Sequence, residues 1–120
     1  MIAVVDDDVL VCKALVGLLR ARGFPARGFA SGQEFLESWL TERPDCLVLD
    51  LQMPGMSGVE VLSALKSAGA RLPSIVITAH DEPGSREQCL REGAVAYLLK
   101  PVDDQVLLEA ITRALGPVSR

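Results

Sequence analysis

The feature that most constrains this chain is a repeated change of period. Short apolar runs at residues 2–5, 46–49, 73–78 and 95–99 alternate with longer stretches whose apolar residues recur every three or four positions. A run without polar alternation reads as a strand covered on both faces. A weaker run at 25–29 carries Pro25 and Gly28, which suit a sheet edge better than its middle. Strands alternating with helices imply βα repeats, right-handed crossovers and an α/β fold whose parallel sheet has helices on both faces.

The intervening helices have recognisable ends. Val11, Leu15, Leu18 and Leu19 mark one over residues 9–22, with Arg20 and Arg22 near its C-terminus and Gly23 placed to close it. Ser31 caps a second over 32–43, with Glu34 at capping-box spacing and Phe35, Leu36, Trp39 and Leu40 on one face. Val59, Leu62 and Leu65 define a third that Gly69 ends, and Asp103 caps a fifth carrying Leu107, Ala110, Ile111, Ala114 and Leu115. The fourth, over 83–92, is poor in apolar residues. Its Arg86, Glu87, Gln88, Arg91 and Glu92 leave only Cys89 and Leu90 as anchors, so it is expected to be the moving part.

Composition narrows the function classes. At 120 residues and 49% hydrophobic content, the chain is expected to form one domain over 1–120, with any output domain outside it. A net charge of −4 with scattered basic residues argues against direct nucleic-acid contact. Cys12, Cys46 and Cys89 are unequally spaced and odd in number, which suits small buried hydrophobes in a reducing compartment. The first residues lack a cationic leader, and no run approaches the roughly 20 apolar residues of a membrane span. The expected location is cytoplasmic, without membrane contact.

Chemistry gathers where the apolar runs stop. The first ends on Asp6, Asp7 and Asp8, the third on Asp50, the fourth on Thr78 and the fifth on Lys100. In a parallel sheet these ends meet at one edge, where ligands bind in open α/β folds. Like charges about 4 Å apart repel by about 4 kcal/mol at an effective dielectric near 20. Either one carboxylate is protonated or a hard divalent cation neutralises the group, and Mg²⁺ suits one or two carboxylates, waters and a phosphate. A carboxylate nucleophile, a cation site, a hydroxyl and a lysine together make a set for phosphoryl transfer onto Asp.

The pieces VVDDD, VLDLQMPGMSG, ITAH, GAVAYLLKP and DDQVLLEAI, spread over essentially the whole chain, resemble the receiver domain of bacterial two-component response regulators. The similarity is nearest to FixJ-type receivers that precede a helix-turn-helix output domain. It implies a doubly wound, flavodoxin-like five-stranded parallel sheet of order 2-1-3-4-5. It also implies that Asp50 is the phosphoacceptor, with Mg²⁺ (Mn²⁺ as substitute) held by Asp7, Asp50 and the backbone carbonyl of Gln52, and by Asp6 through water. Asp8 falls where the family varies. Thr78 and Lys100 are then expected to bind phosphoryl oxygens, Tyr97 to rotate inward as Thr78 moves, and Lys100–Pro101 to be cis.

Gln52 and His80, two residues beyond Asp50 and Thr78, are expected to set the lifetime of the acyl phosphate. The implied partners are a histidine kinase and either a second copy, in a phosphorylation-dependent homodimer, or an output domain. The face expected to meet the copy or output domain is formed by the fourth helix, fifth strand and fifth helix, with transcription as the expected output. The expected protein is a switch that catalyses its own phosphorylation and slow dephosphorylation, rather than a turnover enzyme. A Mg²⁺-dependent aspartyl-nucleophile phosphohydrolase uses the same groups but wants an acid where Gln52 stands. A phosphorylation-independent binding module should have lost Asp50, Asp7 or Lys100, and a nucleotide site should have glycines in the first βα turn.

Overall fold

Ten elements alternate along the chain in the computed structural model, which describes residues 1–116. They are β1 (Ile2–Val5), α1 (Val9–Ala21), β2 (Ala26–Phe29), α2 (Gly32–Trp39), β3 (Cys46–Asp50), α3 (Gly58–Ser67), β4 (Ser74–Thr78), α4 (Ser85–Arg91), β5 (Ala94–Leu99) and α5 (Asp104–Leu115). Residues 117–120, the tail of the expected domain, lie outside the described residues. The strands form one parallel sheet in the order β2-β1-β3-β4-β5, as expected, with β2 at an edge.

Every residue of β1, β3 and β4 is buried. Alternation along each strand divides these residues between two cores. Ala3, Val5, Leu47, Leu49 and Val76 face Phe35 of α2, Leu62 and Leu65 of α3 and Cys89 of α4. Ile2, Val4, Cys46, Val48, Ile75 and Ile77 face Leu19 of α1 and Leu107 and Ile111 of α5. The sheet is therefore covered on both sides, and its functional groups are accessible chiefly at its ends.

The helices start where their caps allow. Asp8 accepts hydrogen bonds from the Leu10 and Val11 amides at 3.0 and 3.2 Å, so the residue that the family pattern leaves variable opens α1 here. Ser57 and Glu60 form a reciprocal capping box on α3. At α2, Ser31 accepts from Glu34 N, but the Glu34 carboxylate reaches the Ala30 amide instead of closing a box.

Two helices are shorter than their sequence patterns suggest. α2 stops at Trp39 rather than continuing to Arg43: Leu40 is 77% exposed, without core to meet, and the chain turns through a Glu42 N–H bond to Ser38 O before Pro44. α4 is confined to Ser85–Arg91, and Leu90, expected as an anchor, is 43% exposed, so Cys89 is the side chain it buries. Polar contacts hold α4 instead. Lys66 Nζ at the end of α3 donates to Arg91 O at 2.9 Å, and Ser85 Oγ lies 3.1 Å from the Tyr97 hydroxyl.

A bulge decides where Tyr97 points. Ser74 pairs with Ala94 but Ile75 pairs with Ala96, so Val95 is left unpaired in the register and is exposed. The extra residue resets the alternation. Ala94 and Tyr97, three apart, both face the core beneath α4, whereas Ala96 and Leu98 face α5. The Lys100–Pro101 bond is cis, as expected. Among the described residues no helix is long and apolar enough to cross a membrane.

Gly58 shows how tightly the loop after β3 is packed. A Cβ there would lie 2.6 Å from Asp50 O and 2.8 Å from Leu51 Cα, both backbone atoms, while one at Gly17 would meet nothing within 4 Å. Gly58→Ala is expected to destabilise the protein by about 1–3 kcal/mol. Gly17→Ala, inside α1, is expected to stabilise it by roughly 0.5–1 kcal/mol. Urea unfolding of both variants checks this, and a neutral Gly58→Ala would show that the loop yields.

Candidate functional site

The C-terminal ends of β1, β3, β4 and β5 deliver the expected groups to one edge of the sheet. Asp6 follows β1 and Asp50 ends β3, one step beyond the Val5–Leu49 pair of the parallel register. Their carboxylates and that of Asp7 offer oxygens that all lie within 4.8 Å of one another. Asp6 and Asp50 are buried, at 1% and 5% exposure, and Asp7 is exposed. The site therefore has two charges withdrawn from water and a third at its mouth.

Lys100, just past β5, enters between the buried pair. Its Nζ donates to Asp6 Oδ2 at 3.0 Å and stands 3.5 Å from Asp50 Oδ1. Burial alone would lower the ammonium's pKa, but the hydrogen bond to Asp6 and the charges of Asp50 and Asp6 outweigh it and hold the group above its ordinary value. Asp6 Oδ1 also accepts the Asp8 amide at 2.9 Å, which locks its orientation. The structure thus attaches Asp8 to the site through its backbone, a role its position directly before α1 could have suggested.

Asp50 is served less well. Burial first, then the charge of Asp6, push its carboxyl up to about 6, with Lys100 opposing the rise and Asp7 adding to it. The donor set fits a hard divalent cation: all three side chains offer carboxylate oxygen, and the crowding that raises Asp50 is what a cation between them would relieve. The side chain of Gln52 is turned to another task. Its Oε1 accepts the hydroxyl hydrogen bond of Thr78 at 2.7 Å.

Thr78, fully buried at the end of β4, also accepts the His80 amide at 3.1 Å, with His80 O at 3.1 Å as a second neighbour. The backbone of His80, not its exposed imidazole, is thus what touches the site. Tyr97 is 6% exposed, with its hydroxyl 3.1 Å from both Asp81 Oδ1 and Ser85 Oγ. The aromatic is already inside while Thr78 is bonded to Gln52, whereas the resemblance implied an inward rotation on activation. Its two hydroxyl partners, Asp81 and Ser85, hold it there. Neither Asp81 nor Ser85 stood out in the sequence, because nothing in a loop's composition announces a partner presented by a bulged strand.

The chain matches the family described as response regulator receiver domain over residues 2–112, and it belongs to that family. It is 40% identical over 111 residues to the transcriptional regulatory protein FixJ of Rhizobium meliloti, covering 92% of this chain and 54% of that protein. It is 35% identical over 114 residues to nodulation protein W of Bradyrhizobium diazoefficiens, covering 95% and 50%. The crystal structure of FixJ-N superposes with a TM-score of 0.89 at 38% identity, covering 99% and 95% of the two chains. A response regulator receiver protein from Burkholderia phymatum gives 0.85 at 45% identity, covering 98% and 96%. The chain spans about half the length of these curated relatives. It is the receiver domain of a two-component response regulator.

The electrostatics of Asp50 can be read without phosphorylation. Its folded pKa of about 6 lies above the ordinary 3.8, so the stability it contributes is full below about 4 and is lost as pH rises through about 6. In chelator, Asp50→Asn is expected to match wild type at low pH and to exceed its stability by about 3 kcal/mol at pH 7.5. Urea titrations across this range test it. A difference that does not grow with pH would mean that the carboxylate is not strained.

Proposed function

We propose that this receiver is a phosphoacceptor switch in which Asp50 takes a phosphoryl group from the phosphohistidine of a histidine kinase. A carboxylate oxygen of Asp50 forms the new bond to phosphorus, the nitrogen–phosphorus bond breaks, and the imidazole leaves with its electron pair. The observation that carries the reading is the cluster of three carboxylates within 4.8 Å with Lys100 between the buried two. Asp7, Asp50 and the Gln52 backbone carbonyl, with Asp6 through water, would hold Mg²⁺ or Mn²⁺, and the bound ion would supply the positive charge that an anionic donor and an anionic nucleophile need between them.

The chain's own residues do the rest. Lys100 steadies Asp6 in the unmodified protein and offers its ammonium to a phosphoryl oxygen once Asp50 carries one. Thr78 binds another. Gln52 and His80 flank the group and set how quickly water removes it. The protein catalyses this single modification and its slow reversal on itself, as a switch located in the cytoplasm.

Incubation with Mg²⁺ and acetyl phosphate, followed by intact mass, is expected to show one phosphoryl adduct that disappears in Asp50→Asn. An adduct that persists in the variant, or none in wild type, would end this reading. The adduct's half-life in His80→Ala, compared with wild type, reads the rate-tuning role, and an unchanged half-life would remove His80 from it.

The output surface is proposed on α4, β5 and α5. Leu90 at 43%, Val95 at 56%, Leu99 at 50% and Val106 at 46% exposure give these three elements an apolar face beside the edge strand. Through it the phosphorylated receiver pairs with a second copy or acts on an output domain that controls transcription, without itself contacting nucleic acid. Sedimentation of the Mg²⁺–beryllofluoride form is expected to show a dimer that Val95→Asp dissolves. A form that stays monomeric at high concentration would refute the dimer.

A further inference from the structure

We propose that the Gln52 side-chain amide is a latch on the switch: it holds the Thr78 hydroxyl in the unmodified protein, and the modified Asp50 must draw that hydroxyl away. This rests on the reading of Asp50 as phosphoacceptor. Thr78 has one hydroxyl proton, and the 2.7 Å contact to Gln52 Oε1 is the shorter of its two routes, the other being His80 O at 3.1 Å. The His80 amide occupies the hydroxyl oxygen as donor. Both the giving and the accepting capacity of Thr78 are therefore engaged before any phosphoryl group is present.

The bond joins the loop after β3 to the end of β4, beside the acidic cluster. Gln52 lies two residues beyond Asp50 in the segment after β3, and Thr78 ends β4, 26 residues away. Thr78 is fully buried and Gln52 is exposed, so the two sides of the bond differ in what release costs them. A freed amide oxygen is taken up by water. A freed Thr78 hydroxyl has no solvent and keeps within reach only the longer contact to His80 O at 3.1 Å.

A phosphoryl oxygen is a better acceptor, since an ionised one makes a stronger hydrogen bond than the Gln52 amide or the His80 carbonyl. The exchange is favourable only when phosphate is present, so the neutral bond sets a threshold. Because His80 is bonded through its backbone to the same hydroxyl, movement of that hydroxyl pulls on the loop that leads to α4. Gln52 is thus a positioning residue that acts through Thr78, separate from any effect on the water that later removes the phosphoryl group.

Gln52→Leu and Gln52→Met remove the acceptor at an exposed position and keep the backbone carbonyl. Two readouts follow. In the metal-free protein, the Thr78 hydroxyl proton is expected to exchange slowly in wild type, as followed by NMR, and to become fast in both variants. With Mg²⁺ and beryllofluoride, both variants are expected to bind about fivefold more tightly, the equivalent of one neutral hydrogen bond. In a Thr78→Val background this gain should vanish.

No gain, or an equal gain with and without the Thr78 hydroxyl, overturns the latch. Equal hydroxyl exchange in wild type and variants does so as well. If wild type fails to bind beryllofluoride with Mg²⁺, the phosphoacceptor reading falls, while the exchange measurement still decides whether Gln52 holds Thr78.

Discussion

The crowding of Asp6, Asp7 and Asp50 is the constraint on which the rest of this structure depends, because the backbone cannot relieve it. β1 and β3 are neighbours in a parallel register, and both are buried along their whole length. Sliding one strand to part the carboxylates would unpair its ladder and turn its apolar residues to the wrong core. At about 4 Å such a pair costs about 4 kcal/mol at an effective dielectric near 20, which is a large share of a small domain's stability. Compensation has to come from outside the two strands. Lys100 supplies part of it, 94 residues from Asp6 in sequence.

That compensation is unequal. Lys100 is nearer to Asp6, and the Asp8 amide also serves Asp6, so Asp6 is the better hydrogen-bonded carboxylate of the buried pair. Asp50 keeps the weaker share and a carboxyl pushed up to about 6 by burial and by Asp6. A poorly satisfied carboxylate keeps lone pairs free, which suits the proposed role of Asp50 as phosphoacceptor and as a partner for a cation. Structural cost and reactivity are here two aspects of one arrangement.

Much of this was legible in the sequence because it follows from period and punctuation. Unbroken apolar runs gave β1, β3 and β4, Pro25 and Gly28 placed β2 at an edge, and polar residues after each run marked the functional end. What escaped depended on geometry that a one-dimensional pattern does not carry. Leu40 and Leu90 extend a helical periodicity yet stand exposed, since periodicity cannot say where the facing core ends. The bulge at Val95 shifts Tyr97 by one face without leaving a composition signal. The Gln52–Thr78 bond joins residues whose separation is fixed by the sheet. Asp8 and the Ser57–Glu60 pair were findable, since both show ordinary capping patterns directly before helical runs.

The magnitudes explain why α4 suits the moving role. A helix anchored by several buried leucines would resist displacement by about 1.5–3 kcal/mol for each. α4 buries Cys89 and is otherwise held by Lys66 donating to Arg91 O, the Tyr97 hydroxyl donating to Ser85 Oγ and the Arg86 guanidinium over the Tyr97 ring. Hydrogen bonds of this kind are worth roughly 0.5–1.5 kcal/mol each. A phosphoryl group that recruits Thr78 and Lys100 introduces charge-assisted bonds of about twice that strength. The contacts that hold α4 are therefore weaker than those that the proposed phosphorylation of Asp50 would create, and Thr78 and the short loop that carries His80 and Asp81 lie between the two. A helix more firmly packed would leave the same chemistry at Asp50 without a mechanical consequence.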